Sequence, residues 1–252
     1  MPERYESTAL RTLPNIAQHT SQLRGVEAKI YSSLLHAIAG GRLKPGSRLN
    51  IDIICSTFAA DRNSVGKVLL VLEREGIVTL SDNGVAFVAV PSPEDARNIF
   101  EIIRMIGVHV VTRLAAVGHE LSAEDDERIR SHIDLQRAAE NAGNVATSRL
   151  YSGEFHILLG HIYGNQVLAN CFACLIVRFV LVAGLYQRNG VQPGRADLQK
   201  EIYDCIRQSN PEKAQRVIDS FFYSIEKSLS FDTSSRALNQ QPNLQIATRG
   251  QS

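Results

Sequence analysis

Residues 46–90 constrain the fold more than any other part of the sequence, because they have the pattern of two short helices followed by a hairpin. Helical spacing of apolar residues predicts helices over 51–58 and 63–74, separated by a tight turn at 59–61. Strands are predicted at 77–80 and 86–90, joined by a loop that contains Asn83-Gly84, a strong hairpin signal. A helix pair with a two-stranded wing is a device for placing a helix in the major groove of DNA.

Three residues predict where these helices begin and end. Asn50 and Asp61 each precede a helix, and their side-chain oxygens can accept hydrogen bonds from the free N–H groups of its first turn. Gly76 follows the second helix, at the position that favours a left-handed backbone. The helix boundaries are therefore predicted from residue type as well as from periodicity.

Basic and polar side chains in and around this motif are candidates for contacts with DNA. Arginine can form a bidentate contact with a guanine edge, whereas lysine offers a point charge to phosphate. We expect the basic members of the set to form one face of the domain. The candidate DNA-binding residues are Arg42, Lys44, Arg48, Arg62, Asn63, Ser64, Lys67, Asn83 and Gly84.

The remainder of the chain predicts a second domain built from helices. The sequence predicts helices over 93–118, 122–142, 145–163, 166–188, 195–209 and 211–229, with short loops that favour an antiparallel bundle. The expected fold class is mainly α, a winged helix-turn-helix domain followed by an all-helical bundle. The predicted divisions are a flexible N-terminal arm (1–25), the winged domain (26–90), the helical domain (91–230) and a disordered tail (231–252).

Composition limits the classes of protein that fit. The net charge is only +1, so any affinity for nucleic acid must come from a local basic patch. No uninterrupted apolar run approaches the roughly 20 residues that span a bilayer, and the first residues lack the pattern of a secretory signal. We therefore expect a cytoplasmic protein with no membrane partner.

The four cysteines and the absence of catalytic motifs argue against other functions. Cys171 and Cys174 form a C-x-x-C pair without a second pair to complete a zinc site, so we interpret them as buried thiols in an apolar helix. The sequence contains no glycine-rich phosphate loop, no G-x-S-x-G motif and no carboxylate pair with a histidine on a common face. We expect neither an enzyme nor a cofactor.

The order and spacing of several motifs resemble the GntR superfamily of bacterial transcription regulators, in particular the FadR-like branch with an FCD ligand domain. The resemblance covers residues 26–229, and no single motif carries it. The matching segments are Gly-Arg-Leu-Lys-Pro-Gly at 41–46, Leu-Glu-Arg-Glu-Gly-Ile-Val at 72–78, Gly-Val-Ala-Phe-Val at 84–88, Ser-Pro-Glu-Asp at 92–95, Phe-His at 155–156, Gly-Asn at 164–165, Ile-Arg at 206–207 and Asn-Pro-Glu-Lys-Ala at 210–214.

This resemblance implies a repressor or activator that binds double-stranded operator DNA as a homodimer. The helical domain would bind a small-molecule effector and carry the dimer contact. The recognition helix departs from the pattern Ser-Arg-Thr-Pro-Val-Arg-Glu-Ala-Leu that the family usually has. Arg62 is retained, but Gly66 replaces the second arginine and Lys67 replaces the glutamate after it. An altered operator preference is therefore expected.

A second departure concerns metal binding. Many FCD domains hold a divalent ion with an Asp-x-x-x-His pair on one helix and two further histidines. Here only His156 remains, while Ser152, Gln199 and Phe221 stand at the other three positions. One imidazole without a carboxylate does not bind a metal tightly, so no metal is expected.

The third departure concerns the effector. Relatives that bind small carboxylates often have an arginine where this chain has Ile103, and Arg104 lies about 100° further round the helix. A mostly apolar pocket for an uncharged ligand is therefore expected, not one for a metal-bound carboxylate. An alternative is a regulator that has lost effector and metal sensing, with a pocket filled by its own side chains. The candidate effector-binding residues are Ile103, Arg104, Ser152, His156, Gln199 and Phe221.

Overall fold

The computed structural model describes residues 5–13, 23–117, 121–187 and 196–231, which form two helical parts and a small sheet. The first part contains a short N-terminal helix and the winged domain. Its elements are α1 (Thr8–Arg11), α2 (Val26–Ala39), β1 (Arg48–Leu49), α3 (Ile51–Phe58), α4 (Arg62–Arg74), β2 (Val78–Leu80) and β3 (Ala86–Val88). The second part is a bundle of α5 (Pro93–Ala116), α6 (Ala123–Asn141), α7 (Val145–Ile162), α8 (Gln166–Tyr186), α9 (Ala196–Arg207) and α10 (Pro211–Ser228).

The predicted fold class is confirmed. All six predicted bundle helices are present, and α5 packs on α8 and α10, while α7 packs on α6 and α8. Ser92 and Asp95 form a capping box at the start of α5, where Pro93 occupies the first helical position. This cap begins the bundle directly after the winged domain.

The helix boundaries of the winged domain follow the predicted caps. Asn50 accepts hydrogen bonds from the N–H groups of Asp52 and Ile53, and Asp61 accepts one from the N–H of Ser64. Helix α4 begins at Arg62, one residue earlier than predicted. Gly76 has φ +71°, the left-handed conformation expected after a helix end.

The sheet contains a strand that the sequence did not predict. The strand order is β1-β3-β2, and β3 pairs antiparallel with both neighbours. Strand β1 has only two residues, too few for an alternating pattern to be visible. The hairpin between β2 and β3 closes through hydrogen bonds from Gly84 N–H to the Ser81 carbonyl and from Ser81 N–H to the Val85 carbonyl.

Helix α2 joins the winged domain to the bundle. It contacts α3 and α4 on one side and α7 and α8 on the other. Its side chains Ile30, Tyr31, Leu34 and Ile38 are all buried. Gly184 permits close approach, because a Cβ there would lie 2.8 Å from the Ile38 carbonyl oxygen. The two parts therefore share one continuous hydrophobic core.

The described part of the predicted N-terminal arm is packed against the bundle. Residues 5–13 contain α1, which contacts α6 and α7. Leu10 is fully buried, and Tyr5 and Ala9 are buried beside it. Residues 1–4 and 14–22 of the predicted arm lie outside the described residues. The predicted tail from residue 232 onward also lies outside them.

Helix α8 is long and apolar enough to cross a membrane by length and composition alone. Its mean hydropathy is 2.2, and 50% of its apolar window is buried inside the bundle. A core helix of a globular protein passes the same test. The expectation that Cys171 and Cys174 are buried is wrong, because both lie on the exposed side of this helix. Helix α8 has apolar residues on all of its sides, so its sequence does not distinguish the buried side from the exposed one.

The turn between α3 and α4 contains a residue in an unfavourable conformation. Ala59 has φ 49° and ψ 42°, where a Cβ crowds the following carbonyl. We predict that Ala59→Gly raises the free energy of unfolding by about 0.5–1 kcal/mol. Urea denaturation measures this change. The matched control is Ala60→Gly at a residue without positive φ, which should destabilise the protein; a loss of stability in both variants would contradict the prediction.

Candidate functional site

The N-terminal turn of α4 is exposed and displays the residues expected to meet DNA. Arg62 and Asn63 are exposed, and Ser64 is half-buried. Ser64 donates its hydroxyl hydrogen (2.9 Å) and its backbone N–H (2.9 Å) to the Asp61 carboxylate. These hydrogen bonds lower the pKa of Asp61 and keep it ionised as the cap. The Asp61 cap therefore fixes the first turn of α4.

Two basic residues of the recognition helix form intramolecular ion pairs. Arg62 pairs with Asp52, and both side chains are about 70% exposed (69% and 71%). The Lys67 ammonium lies 2.8 Å from the Glu27 carboxylate on α2. Exposed ion pairs contribute roughly 0–1 kcal/mol, so the Arg62 guanidinium can exchange Asp52 for DNA at little cost.

The other candidate DNA-binding residues lie around the helix-turn-helix. Arg42 and Lys44 are exposed in the turn after α2, and Asn83 and Gly84 are exposed at the tip of the wing. Arg48 is exposed on β1, directly opposite Phe87 of β3. Strand β1 thereby attaches Arg48 to the wing, a placement that the sequence did not indicate.

Gly66 leaves an open space on α4. A Cβ built at this residue would meet no atom within 4 Å. Packing within the chain therefore does not require a glycine here. The space is available to a partner that approaches the helix backbone closely.

Five of the six candidate effector residues are buried in the bundle. Ile103, Ser152, His156, Gln199 and Phe221 have exposed fractions of 3% or less. The sixth, Arg104, lies elsewhere. Its guanidinium contacts Asp219 of α10 (2.8 Å), and both side chains are partly exposed.

Aromatic rings surround His156. The distance between ring centroids is 4.8 Å from His156 to Phe221 and also to Phe222. The corresponding distances to Phe155 and Phe172 are 5.6 and 6.4 Å. Burial lowers the pKa of His156 to about 3, and His132 contributes a smaller electrostatic effect. Its Nε2 atom has no hydrogen-bond partner among the described residues. This imidazole is therefore neutral and enclosed.

The residues around His156 do not fit the divalent metal that many FCD domains bind. The described residues contain no group of three or more His, Cys, Asp or Glu side chains able to hold a metal ion. Phe221 occupies one of the other three ligand positions and its ring offers no lone pairs, while Ser152 and Gln199 offer only a neutral hydroxyl and a neutral amide. The donor set is therefore a single imidazole.

A polar network beside this region was not found from the sequence. Gln136 on α6 donates to Glu140 (2.9 Å) and to Ser148 (3.0 Å), and Gln199 donates weakly to Gln136 (3.4 Å). The Gln199 Oε1 atom is buried without a partner in the described part of the chain. Residues 132–136 have no distinctive motif, so only their positions across the bundle reveal the network.

The chain belongs to the GntR family of bacterial regulators and carries an FCD domain. It matches the family described as "Bacterial regulatory proteins, gntR family" over residues 27–88 and the family described as "FCD domain" over residues 98–223. The second match covers half of the chain. The predicted resemblance and the function as a DNA-binding transcription regulator are thereby confirmed, consistent with the FadR-like branch.

Solved structures with the same fold include two bacterial proteins. A GntR transcriptional regulator from Rhodococcus sp. RHA1 is 20% identical, with a TM-score of 0.66 over 80% of this chain and 95% of that one. E. coli McbR/YncC is 17% identical, with a TM-score of 0.65 over 80% of this chain and 95% of that one. Comparison with curated protein sequences gave no match. Both structural likenesses concern the fold.

Acid should destabilise the protein through His156. Because the pKa in the folded state lies below the unfolded value of about 6.5, the unfolded chain takes up a proton first as the pH falls. We predict that His156 contributes about 2 kcal/mol to the stability lost between pH 7.5 and pH 5. Urea denaturation at both pH values should therefore show a smaller loss for His156→Gln than for the parent. The matched control is His109→Gln, at an exposed histidine; equal losses in all three proteins would contradict the prediction.

Proposed function

We propose that this regulator reads operator DNA with the exposed N-terminal turn of α4. The observation that carries the proposal is that Arg62 lies beyond the Asp61 cap, with 69% of its side chain exposed. Arginine at this place can form a bidentate contact with guanine. Arg42, Lys44 and Arg48 contact phosphates on either side, and Asn83 and Gly84 bring the wing to the backbone.

A homodimer supports this function. One recognition helix reads few base pairs, so two heads on a two-fold symmetric operator supply affinity and specificity. The helical domain carries the contact between the subunits. The dimer acts in the cytoplasm, where its operator is accessible.

The effector that we propose is small, uncharged and mostly apolar. Ile103, His156 and Phe221 would supply apolar and aromatic contacts, while Ser152 and Gln199 would supply hydrogen bonds. The unpaired Nε2 of His156 and Oε1 of Gln199 support this proposal, because a ligand could satisfy them. Arg104 is held by Asp219, which argues against a carboxylate ligand. The second candidate is a regulator without an effector, and the dense ring packing at His156 favours it.

DNA recognition is tested by replacing Arg62. A duplex selected from a random pool by the parent protein serves as the specific probe. We predict that Arg62→Ala weakens specific binding by about 1–3 kcal/mol and relaxes the preference at one base pair. Lys44→Ala should instead weaken binding to all sequences about equally. Mobility shifts measure both effects, with Arg113→Ala on the exposed side of α5 as the control. An unchanged ratio of specific to nonspecific affinity in Arg62→Ala would contradict this assignment.

Native mass spectrometry with elemental analysis tests the effector and the dimer. We predict a homodimer without stoichiometric metal, because the donor set at His156 is a single imidazole. An additional organic mass would identify a ligand and support the uncharged pocket. A bare dimer that stays bare after incubation with cell extract would favour the regulator without an effector. One metal ion per chain would contradict the proposal.

A further inference from the structure

The segment of residues 5–13 lies outside both family matches and yet is firmly packed. The matches begin at residue 27 and residue 98. Leu10 is fully buried, and Tyr5, Ala9 and Leu13 are also buried, while Thr8 and Thr12 face solvent. One side of this segment is therefore buried against the rest of the protein, and we call residues 5–13 the N-terminal latch.

A buried carboxylate on α7 holds the backbone of the latch. The two oxygens of Glu154 accept one hydrogen bond each, from the Glu6 N–H (2.7 Å) and the Ser7 N–H (2.8 Å). Glu154 is only 6% exposed. Burial raises its pKa to about 8, and the two amide hydrogen bonds oppose that rise. Without the latch, the Glu154 carboxyl group would lose both hydrogen-bond donors in a largely apolar environment.

A buried histidine on α6 holds the side chain of Ser7. The His132 Nε2 atom lies 2.9 Å from the Tyr151 carbonyl oxygen, which can only accept, so Nε2 carries the hydrogen. The His132 Nδ1 atom therefore accepts the hydroxyl hydrogen of Ser7 at 2.8 Å. Burial lowers the pKa of His132 to about 4, which keeps the ring neutral at physiological pH.

The latch also contacts the helix that carries the DNA-reading domain. The Ser32 hydroxyl on α2 donates to the Glu6 carboxylate at 3.1 Å. Tyr5 and Tyr31 line a hollow of about 30 Å³ together with Glu154 and Ile157 of α7. The latch thus touches α2, α6 and α7 together, and it spans the junction between the two domains.

We propose that the N-terminal latch holds α2, and with it the recognition helix, in one placement on the bundle, and that its release weakens operator binding. This inference rests on the proposed DNA-reading role of α4. Without the latch, the winged domain would be more mobile. It would lose that mobility when both recognition helices engage their half-sites, which lowers the affinity for the operator. The hydrogen bonds of Ser7 with Glu154 and His132, called the grip from here on, lie close to the proposed effector site. The Phe155 ring is 6.0 Å from the His132 ring and 5.6 Å from that of His156.

Two neighbouring proline substitutions distinguish the loss of the grip from the general effect of a proline in this segment. Ser7→Pro removes the N–H that Glu154 binds and the hydroxyl that His132 binds, while the φ of −74° at Ser7 already suits proline. Thr8→Pro is the matched control. Thr8 is exposed and stands at the first helical position, where proline is tolerated, and the extended ψ of 126° at Ser7 suits a following proline.

Two measurements on the full-length protein test the proposal. Hydrogen–deuterium exchange reports the protection of the Arg11, Thr12 and Leu13 amides, which are hydrogen-bonded in the latch. We expect at least tenfold faster exchange there in Ser7→Pro and little change in Thr8→Pro. Binding to the selected duplex should weaken at least fivefold in Ser7→Pro only. Melting curves establish that each variant is folded, and Leu10→Ala replaces Ser7→Pro under the same criteria if that variant does not fold.

The outcomes distinguish this inference from the proposed function. Faster exchange with a smaller loss of affinity, no change or tighter binding would overturn the role of the latch. Unchanged exchange in Ser7→Pro would overturn the grip itself. If the parent protein selects no duplex, the DNA-reading proposal fails and the coupling falls with it, while the exchange data still report whether the grip exists.

Discussion

The packing of α2 between two domains is the constraint on which the rest of the structure depends. Its buried side chains complete the core of the winged domain, and its C-terminal end lies against the backbone of α8 at Gly184. Side chains of α8 extend this junction. The Arg178 Nε–H donates to the Glu75 carbonyl at the end of α4 (2.9 Å), and the Tyr186 hydroxyl donates to the Pro91 carbonyl just before α5 (2.7 Å). The recognition helix is therefore positioned by the bundle as well as by its own domain.

Local arrangement of charge, and not net charge, gives the winged domain its exposed basic residues. A net charge of +1 spread evenly would attract no polyanion. The turn after α2, strand β1 and the first turn of α4 instead place exposed basic residues on one domain. The carboxylates of Asp52 and Glu27 neutralise part of this surface. The Arg62–Asp52 pair is exposed and contributes roughly 0–1 kcal/mol, so its exchange for a contact with DNA would cost little.

The bundle interior contains polar residues whose roles depend on their partners. Both ring nitrogens of His132 are hydrogen-bonded, one to Ser7 and one to Tyr151, so this side chain connects the N-terminal latch to α7. His156 lies among phenylalanine rings, and its Nε2 atom has no hydrogen-bond partner among the residues that the structure describes. Both are buried neutral histidines with lowered pKa values, yet the first is structural and the second is the candidate ligand contact. A buried polar atom without a partner needs an explanation such as a bound ligand, an ion or an ordered water molecule.

The sequence by itself determined the helices, their caps and the family, because these depend on local periodicity, on residue types such as Asn50 and Asp61 next to free N–H groups, and on motif spacing. It also placed Arg62 at the start of the recognition helix. Only the tertiary structure decided that Arg104 contacts Asp219 and does not join the buried residues around His156, that Cys171 and Cys174 are exposed, and that residues 5–13 contact Glu154 and His132. Those outcomes depend on which side of a helix is covered and on contacts between residues more than a hundred positions apart, and local sequence carries no record of either.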